Sequence, residues 1–260
     1  MTEFQIFKSC FPELKIDEYN FNKLAFSDET KVFRKGEGFA VCRGSRITLL
    51  CVAPETQRQG IGSALLKQCE EHIKSSGNTH AFIGGNMLIG AVGDSHEFFR
   101  KHGYRLSGDF TEMELVLRNF TAPKADIPEN AEFSFYNGDI ETLREAVAEV
   151  DEEWVQYFDE DGYFFCCFMD GELASFCIVG DDEHCLLSDG ASRIGSIGCV
   201  GTVPKFRRKG LGLQMVALAA EWLKDRGCDS VFIHYTHLYN WYGKLGAEVF
   251  LRFTTAEKEL

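Results

Sequence analysis

The sequence lacks the marks of a secreted, membrane-spanning or metal-binding chain. No C-x-x-C pair occurs among its ten cysteines; Cys10, Cys42, Cys51, Cys69, Cys177, Cys185, Cys199 and Cys228 are scattered, and only Cys166 and Cys167 adjoin. That spacing excludes the paired thiolates of a zinc site and gives no disulfide framework, so the cysteines are expected to be reduced and packed as small apolar residues. The opening MTEFQIFKSCF has no basic stretch followed by an apolar run, and no apolar run reaches membrane-spanning length. A cytoplasmic chain is expected. Basic residues are also in deficit: 27 Lys and Arg stand against 40 Asp and Glu, a net charge of −13. The deficit disfavours general binding to nucleic acid or to an anionic membrane, where basic patches supply the affinity. An acidic body suits an amine-bearing partner, although acidic composition by itself is commonplace. Apolar residues are abundant: 45% hydrophobic content with 23 Phe implies packed cores, and 260 residues suffice for one large domain or two ordinary ones.

The sequence contains itself twice. PETQRQGIGSALL (54–66) is matched by PKFRRKGLGLQMV (204–216), so that Pro54, Gly60, Gly62 and Gly77 correspond to Pro204, Gly210, Gly212 and Gly227 at a constant offset of 150. HAFI from His80 lies opposite SVFI from Ser230 at the same offset; FFRKHGY from Phe98 then aligns with WYGKLGA from Trp241 at an offset of 143. The first copy therefore carries seven extra residues, within GGNMLIGAVGDS. Insertion into one loop between matching elements is how duplicated domains diverge. Between the copies, FTAPKADIPENAEF holds Pro123 and Pro128 among polar residues without hydrophobic periodicity and reads as a linker. The expected layout is a first domain over 1–120, a linker over 121–130 and a second domain over 131–260.

In the second copy, AEFSFY is expected as a strand. Asp139 caps a helix whose stripe is Ile140, Leu143, Val147, Val150 and Trp154; YFFCCFM and LASFCIV form a hairpin around Gly171, and SIGCVGTV is a strand ending at Pro204. A helix with Leu211, Met215, Ala219 and Trp222 then runs to Gly227, followed by the strand SVFIHY, a short helix over 239–245 and the strand AEVFLRF. The first copy offers GFAVCR, ITLLCV, a helix to Ser76, HAFIG, a helix near 96–101 and TEMELVL, but MTEFQIFKSCF is a poor counterpart of AEFSFY. The first domain is expected to be trimmed at its front.

A strand, a turn with Gly-x-Gly and a helix together present free backbone N–H groups at the positive end of the helix dipole, which suits a pyrophosphate. Basic residues stand beside the glycines: Arg58 in one copy; Arg207, Arg208 and Lys209 in the other. A dinucleotide fingerprint would need a third glycine where Leu65 and Met215 stand, and a P-loop would need Gly-Lys-Ser/Thr. For one isolated copy, a plain helix entry with solvated arginines would be an even match. Two copies in the same context favour a required backbone geometry.

With their glycines and basic residues, VAPETQRQGIGSALL and VGTVPKFRRKGLGLQMV resemble the acetyl-CoA motif of the GNAT superfamily of N-acetyltransferases, Gln/Arg-x-x-Gly-x-Gly/Ala. YNWYGKLGA resembles the family's later Tyr-x-Lys-Leu-Gly turn, and the likeness covers 38–117 and 131–253. The tandem arrangement is similar to mycothiol synthase and other double-domain members, in which one half is sometimes idle; the second copy also resembles acetyltransferase halves joined to some glycosaminidases. The resemblance implies an α/β fold: in each domain, a mixed sheet that splays between its fourth and fifth strands. It implies acetyl-CoA as cosubstrate. The pantetheine arm would lie against Thr202 and Val203, and against Cys51, Val52 and Ala53. The diphosphate would rest on Arg207, Arg208, Lys209, Gly210, Leu211 and Gly212, and on Gln57, Arg58, Gln59, Gly60, Ile61 and Gly62.

The family's chemistry is direct attack of an amine on the thioester, with a tyrosine protonating the departing thiolate. Tyr242 holds that position in the second copy and Phe99 in the first, so the second half is expected to catalyse and the first to be degenerate. An aromatic packed on the glycine-bearing helix is the plainer reading of Tyr242. Glu152, Glu153, Asp189 and His234 are candidate bases, none distinguished by sequence, and the family's frequent asparagine falls on Tyr235, which points to a remodelled loop. The expected reaction is acetylation of a small primary amine, with amino sugars and amino-acid derivatives as candidate acceptors. The rivals are a non-catalytic CoA-binding or regulatory module and a structural duplication without a CoA site.

Overall fold

The structure is a computed structural model that describes residues 1–84, 90–185 and 187–260. Part of the insertion in the first copy (85–89) lies outside the described residues. The chain forms two compact units: Met1–Thr111 together with Phe250–Leu260, and Glu112–Val249.

The first unit opens with two helices, α1 (Glu3–Cys10) and α2 (Glu18–Ala25), where the second repeat opens with a strand. Thr2 and Gln5 form a capping box on α1 and Asp17 caps α2, so polar side chains satisfy the first N–H groups of both short helices. Phe7 and Phe21 pack with tilted rings 4.8 Å apart and are fully buried beneath these helices. Next come β1 (Thr30–Lys35), β2 (Gly38–Arg43), β3 (Arg46–Val52), α3 (Ile61–Ser75), β4 (His80–Ile83), α4 (Ser95–Lys101) and β5 (Arg105–Val116). Helix α3 buries Leu65, Leu66, Cys69 and Ile73, an i, i+4 stripe on one face.

The second unit holds β6 (Ala131–Phe135), α5 (Ile140–Ala148), β7 (Phe164–Met169), β8 (Glu172–Gly180), β9 (Ile194–Thr202), α6 (Leu211–Asp225), β10 (Ser230–Thr236) and α7 (Tyr239–Tyr242); β11 (Glu248–Glu259) begins there and ends in the first unit. The stripe expected on one long helix is divided. Helix α5 stops at Ala148, and Trp154 sits in a separate 3-10 turn, Glu152–Tyr157, started by the Asp151 side chain. Ile140, Leu143, Val147, Val150 and Trp154 still join one apolar cluster with Phe158 and Phe176.

The last strands are exchanged relative to the sequence repeats. In the first unit the strands run β1-β2-β3-β4-β11 and then the first half of β5; Ala256 pairs with Ile83 and Lys258 with Ala81, and Thr254 Oγ1 donates to Asp109 at 2.9 Å. In the second unit the order is the second half of β5, then β10-β9-β8-β7-β6. There Met113, Leu115 and Leu117 are buried with Met215, Leu223, Val231 and Ile233 against α6, and Leu117 N–H donates to Asp229 O at 2.9 Å. The end of β5, from Glu112, and most of β11, from Phe250, thus belong to the unit of the other repeat. No helix among the described residues is long and apolar enough to cross a membrane.

Candidate functional site

The two glycine turns have the same conformation. Each follows a 3-10 turn that starts on proline, Pro54–Thr56 or Pro204–Phe206. Arg58 and Arg208 then have φ of 62° and 64°, and Gly60 and Gly210 have φ of 80° and 79° before α3 and α6 begin. Left-handed residues in such a turn can aim neighbouring N–H groups at one anion, and the positive end of the helix dipole adds to the attraction. Glycine is required at 60 and 210 because a Cβ is strained at that φ. At the second glycine of each turn a different constraint, space, can apply. That holds at Gly212, where a Cβ would stand 2.9 Å from Thr202 Oγ1; at Gly62 it would meet the Phe98 ring at 3.5 Å, an ordinary van der Waals contact. The copies differ in what covers them: a Cβ on Gly60 would meet nothing described within 4 Å, whereas Gly210 faces linker residues, with Ile127 Cγ2 at 3.3 Å and Asp126 O at 3.6 Å.

The strand before each turn leaves its neighbour early. Among the described residues, β3 pairs with β4 through Arg46 and Ile47 alone, and β9 with β10 from Ile194 to Ser196 alone. The rest of each strand borders a gap that can accept an extended chain. Val203 N–H donates to Ala174 O at 3.0 Å and Ala53 N–H to Glu37 O at 2.9 Å, so these two donors are turned away from the gap. Thr202 and Val52, the preceding residues, face it by strand alternation. The Thr202 carbonyl accepts from Arg207 Nε at 3.0 Å. The Val52 carbonyl accepts both Gln57 Nε2 at 3.1 Å and the Cys10 thiol at 3.4 Å, which uses both of its lone pairs. Of the sequence-derived residues, then, the turns and the splayed strands come together in each unit, while Ala53 and Val203 pair with their own sheets.

In the first unit the gap opens into a cleft of about 520 Å³, bordered by Cys10, Leu50, Val52, Gln57, Arg58 and Phe98. Phe99, at the position that matches Tyr242, is buried edge-on to Tyr104.

In the second unit β9 carries an irregularity without a counterpart noticed in the sequence. Its register against β8 shifts between Phe176 and Ile178, and Cys199 adopts φ 46° opposite that shift. Such strain in a non-glycine residue costs about 1–3 kcal/mol and clusters at functional sites. Tyr242 is 5% exposed, in the cluster with Met215, Ile233 and Leu245. Burial, reinforced by Cys177 and Cys199, holds its hydroxyl well above the ordinary tyrosine range. Burial first, and then Asp151, pushes the Cys199 thiol up to about 12. A thiolate at this place is strongly disfavoured, so a sulfur that arrives there charged takes up a proton readily.

On β10, Val231 and Ile233 face α6, whereas Phe232 and His234 face the other side with their rings 5.6 Å apart. His234 Nδ1 lies 2.8 Å from both oxygens of Glu112, which is 1% exposed on β5, and Tyr235, at φ 53°, donates its N–H to the same carboxylate at 3.3 Å. Among the candidate bases, His234 is thus seated on a buried acid. Glu152 and Glu153 are exposed on their 3-10 turn, and Asp189 accepts from Ala191 and Ser192 N–H in its own loop. No sequence signal could have found Glu112, because its partner lies 122 residues away.

Two family models match the chain: the GNAT acetyltransferase domain over 15–117 and the acetyltransferase (GNAT) family over 129–247. No curated protein matches it. Among solved structures, a glucosamine N-acetyltransferase region of a fungal multi-domain β-N-acetylglucosaminidase superposes with a TM-score of 0.82 at 18% identity, over 97% of this chain and 36% of that one. The chain thus spans about a third of that protein. A GCN5-related N-acetyltransferase from Sphaerobacter thermophilus gives 0.66 at 19% identity, over 86% of this chain and 76% of that one. A tandem GNAT protein from the clavulanic acid biosynthesis pathway gives 0.64 at 16%, over 92% and 86%. At these identities the structural likeness carries the fold alone. Family models over both halves, each with a strand that leaves its neighbour beside a glycine turn, make this chain a member of the GNAT acetyltransferases with two such domains in tandem.

Proposed function

We propose that the second half is an acetyl-CoA-dependent N-acetyltransferase for a small primary amine, and that the first half binds the same cosubstrate without transferring it. The observation that carries the first statement is Tyr242. It is a buried, protonated hydroxyl in the unit whose fourth strand is bulged at Cys199, where the first half has Phe99. In this reading the N–H groups from Arg208 to Gly212 hold the diphosphate, with Arg207 and Lys209 adding charge and Leu211 beginning the helix; Thr202 faces the pantetheine arm. Bound there, acetyl-CoA supplies the activated acyl group. The chain's residues hold the thioester at the gap, exclude water from it and return a proton to the leaving sulfur through the Tyr242 hydroxyl.

The cleft of about 520 Å³ in the first unit supports binding there. Its turn matches the second at Arg58 and Gly60 in backbone conformation, but Phe99 has no proton to give and the Val52 carbonyl is already engaged.

Two measurements test the proposal. Acetyl-CoA at 100 times its dissociation constant is expected to stabilise the binding unit by about 2.7 kcal/mol, read as a rise in Tm. Free thiol is expected to appear when acetyl-CoA is mixed with one or more of a panel of amines, with glucosamine tried first because of the fungal neighbour's activity. A rise in Tm without thiol release across amines, amino sugars and peptides would favour a binding module. No rise at millimolar acetyl-CoA would leave only a structural duplication.

A further inference from the structure

We infer that Glu112 and His234 form the base that deprotonates the acceptor amine, so that the closing strand of the first repeat supplies part of the second repeat's active site. The inference rests on the acetyltransfer reading above and names the group that reading lacks.

His234 lies two residues beyond Phe232, the last residue of β10 paired with β9, on the part of β10 that has left its neighbour. It therefore borders the gap in which the thioester would lie. Strand alternation places it on one side of the sheet, while Tyr242 belongs to the α6 cluster on the other. A base on one side of the gap and an acid on the other lets one group take the proton of the incoming ammonium while the other protonates the departing sulfur.

The chemistry of the pair is specific. Nδ1 must carry the proton that faces the two carboxylate oxygens at 2.8 Å, which leaves the lone pair of the neutral ring on Nε2. Glu112 is then a positioning residue: it fixes the tautomer, orients the ring and balances the imidazolium that forms. The surroundings of the ring are Glu112 from β5, and the Phe232 and Tyr235 rings from its own strand. A carboxyl group that is 1% exposed is an expensive way to join two strands, since a packed apolar pair would serve the fold as well or better. The Tyr235 backbone, strained at φ 53°, adds a further N–H to the same carboxylate. Such an investment beside a cleft marks a functional group.

The step balances. One proton of the ammonium passes to His234 Nε2 and leaves to solvent after turnover. The neutral nitrogen forms its bond to the thioester carbon as the carbon–sulfur bond breaks. The sulfur takes the Tyr242 proton, and the tyrosine oxygen recovers a proton from the newly acylated nitrogen. Ammonium and acetyl-CoA thus give amide, free CoA and one proton.

The test compares His234→Gln and Glu112→Gln with wild type on two kinds of acceptor at neutral pH: an alkyl amine, which is protonated, and methoxyamine, which is neutral. His234→Gln is expected to lower kcat/KM for the alkyl amine about 10²-fold or more, to lose the ascending limb of its pH profile, and to regain most of that deficit with methoxyamine. Glu112→Gln keeps an acceptor for Nδ1–H and is expected to lose about tenfold on the alkyl amine, with acetyl-CoA affinity unchanged. Equal losses on both acceptors, or an unaltered pH profile, would overturn the assignment and leave a structural pair. If wild type itself releases no thiol with either acceptor, the acetyltransfer reading fails and this one with it. If wild type turns over and His234→Gln matches it, only the base is wrong.

Discussion

Tyr242→Phe is expected to lower kcat by about 10²- to 10⁴-fold while acetyl-CoA binding is retained, the range for loss of a positioned general acid. The substitution removes one oxygen from a side chain that is 5% exposed and leaves the ring, so the cluster around Met215, Ile233 and Leu245 keeps its packing. Binding is retained because the turn from Arg208 to Gly212 is untouched. The drop in rate follows from what burial does to a thiolate. Cys199, near Tyr242, has its thiol pushed up to about 12, and a CoA sulfur expelled into the same surroundings bears the same penalty unless a proton reaches it. Burial raises donor and acceptor together, so the transfer stays near balance even though the tyrosine is held well above its ordinary range. Measured by thiol release and by isothermal titration of acetyl-CoA, full turnover in Tyr242→Phe would remove the tyrosine from the mechanism.

Cutting the chain at the linker is expected to leave neither half folded. A fragment of 131–260 lacks the strand that carries Met113, Leu115 and Leu117, which are 1%, 2% and 0% exposed. Full burial of each such side chain contributes about 1.5–3 kcal/mol, so their joint loss amounts to about 5–9 kcal/mol. That is comparable with the whole stability of an ordinary domain, about 5–15 kcal/mol. A fragment of 1–120 lacks residues 250–260, and with them the strand paired to β4 at Ile83, Phe82, Ala81 and His80. Far-UV circular dichroism and urea titration of the two fragments test this: poor cooperativity for each alone is expected, with recovery when they are mixed. Two independently cooperative fragments would contradict it.

Both turns were legible in the sequence because a positive φ leaves its mark as glycine: Gly60 and Gly210 are needed wherever this turn forms, and duplication printed them twice. The helices after them were legible from the spacing of Leu65, Cys69 and Ile73, and of Leu211, Met215 and Ala219. Short elements with weak patterns were not. β1 alternates poorly, and α2 rests on one caps-and-Phe arrangement around Asp17 and Phe21. The long helix expected through Trp154 ends early because Asp151 begins a new turn while the apolar stripe continues across the break. The exchange of closing strands left no trace at all, since TEMELVL and AEVFLRF have patterns that suit either sheet. Glu112 was hidden for that reason: a carboxylate in a strand reads as solvated until the pairing that buries it is known. The bulge at Cys199 was equally silent, because its left-handed residue is a cysteine and not a glycine.

The central claim is that one of two matching cradles serves the reaction, and paired charge variants test it most directly. Arg58 and Arg208 both sit in the left-handed region, which Asp tolerates better than most residues, so Arg58→Asp and Arg208→Asp are compatible with the turn and place a negative charge where the diphosphate would rest. Like charges in contact cost several kcal/mol, so the cradle that serves turnover should lose about 10²-fold or more in kcat/KM for acetyl-CoA. The measurement is the steady-state rate of thiol release by each variant with the same acceptor amine. Loss in Arg208→Asp with near-wild-type rates in Arg58→Asp is the predicted result; loss in Arg58→Asp with Arg208→Asp unaffected would contradict the assignment of catalysis to the second half.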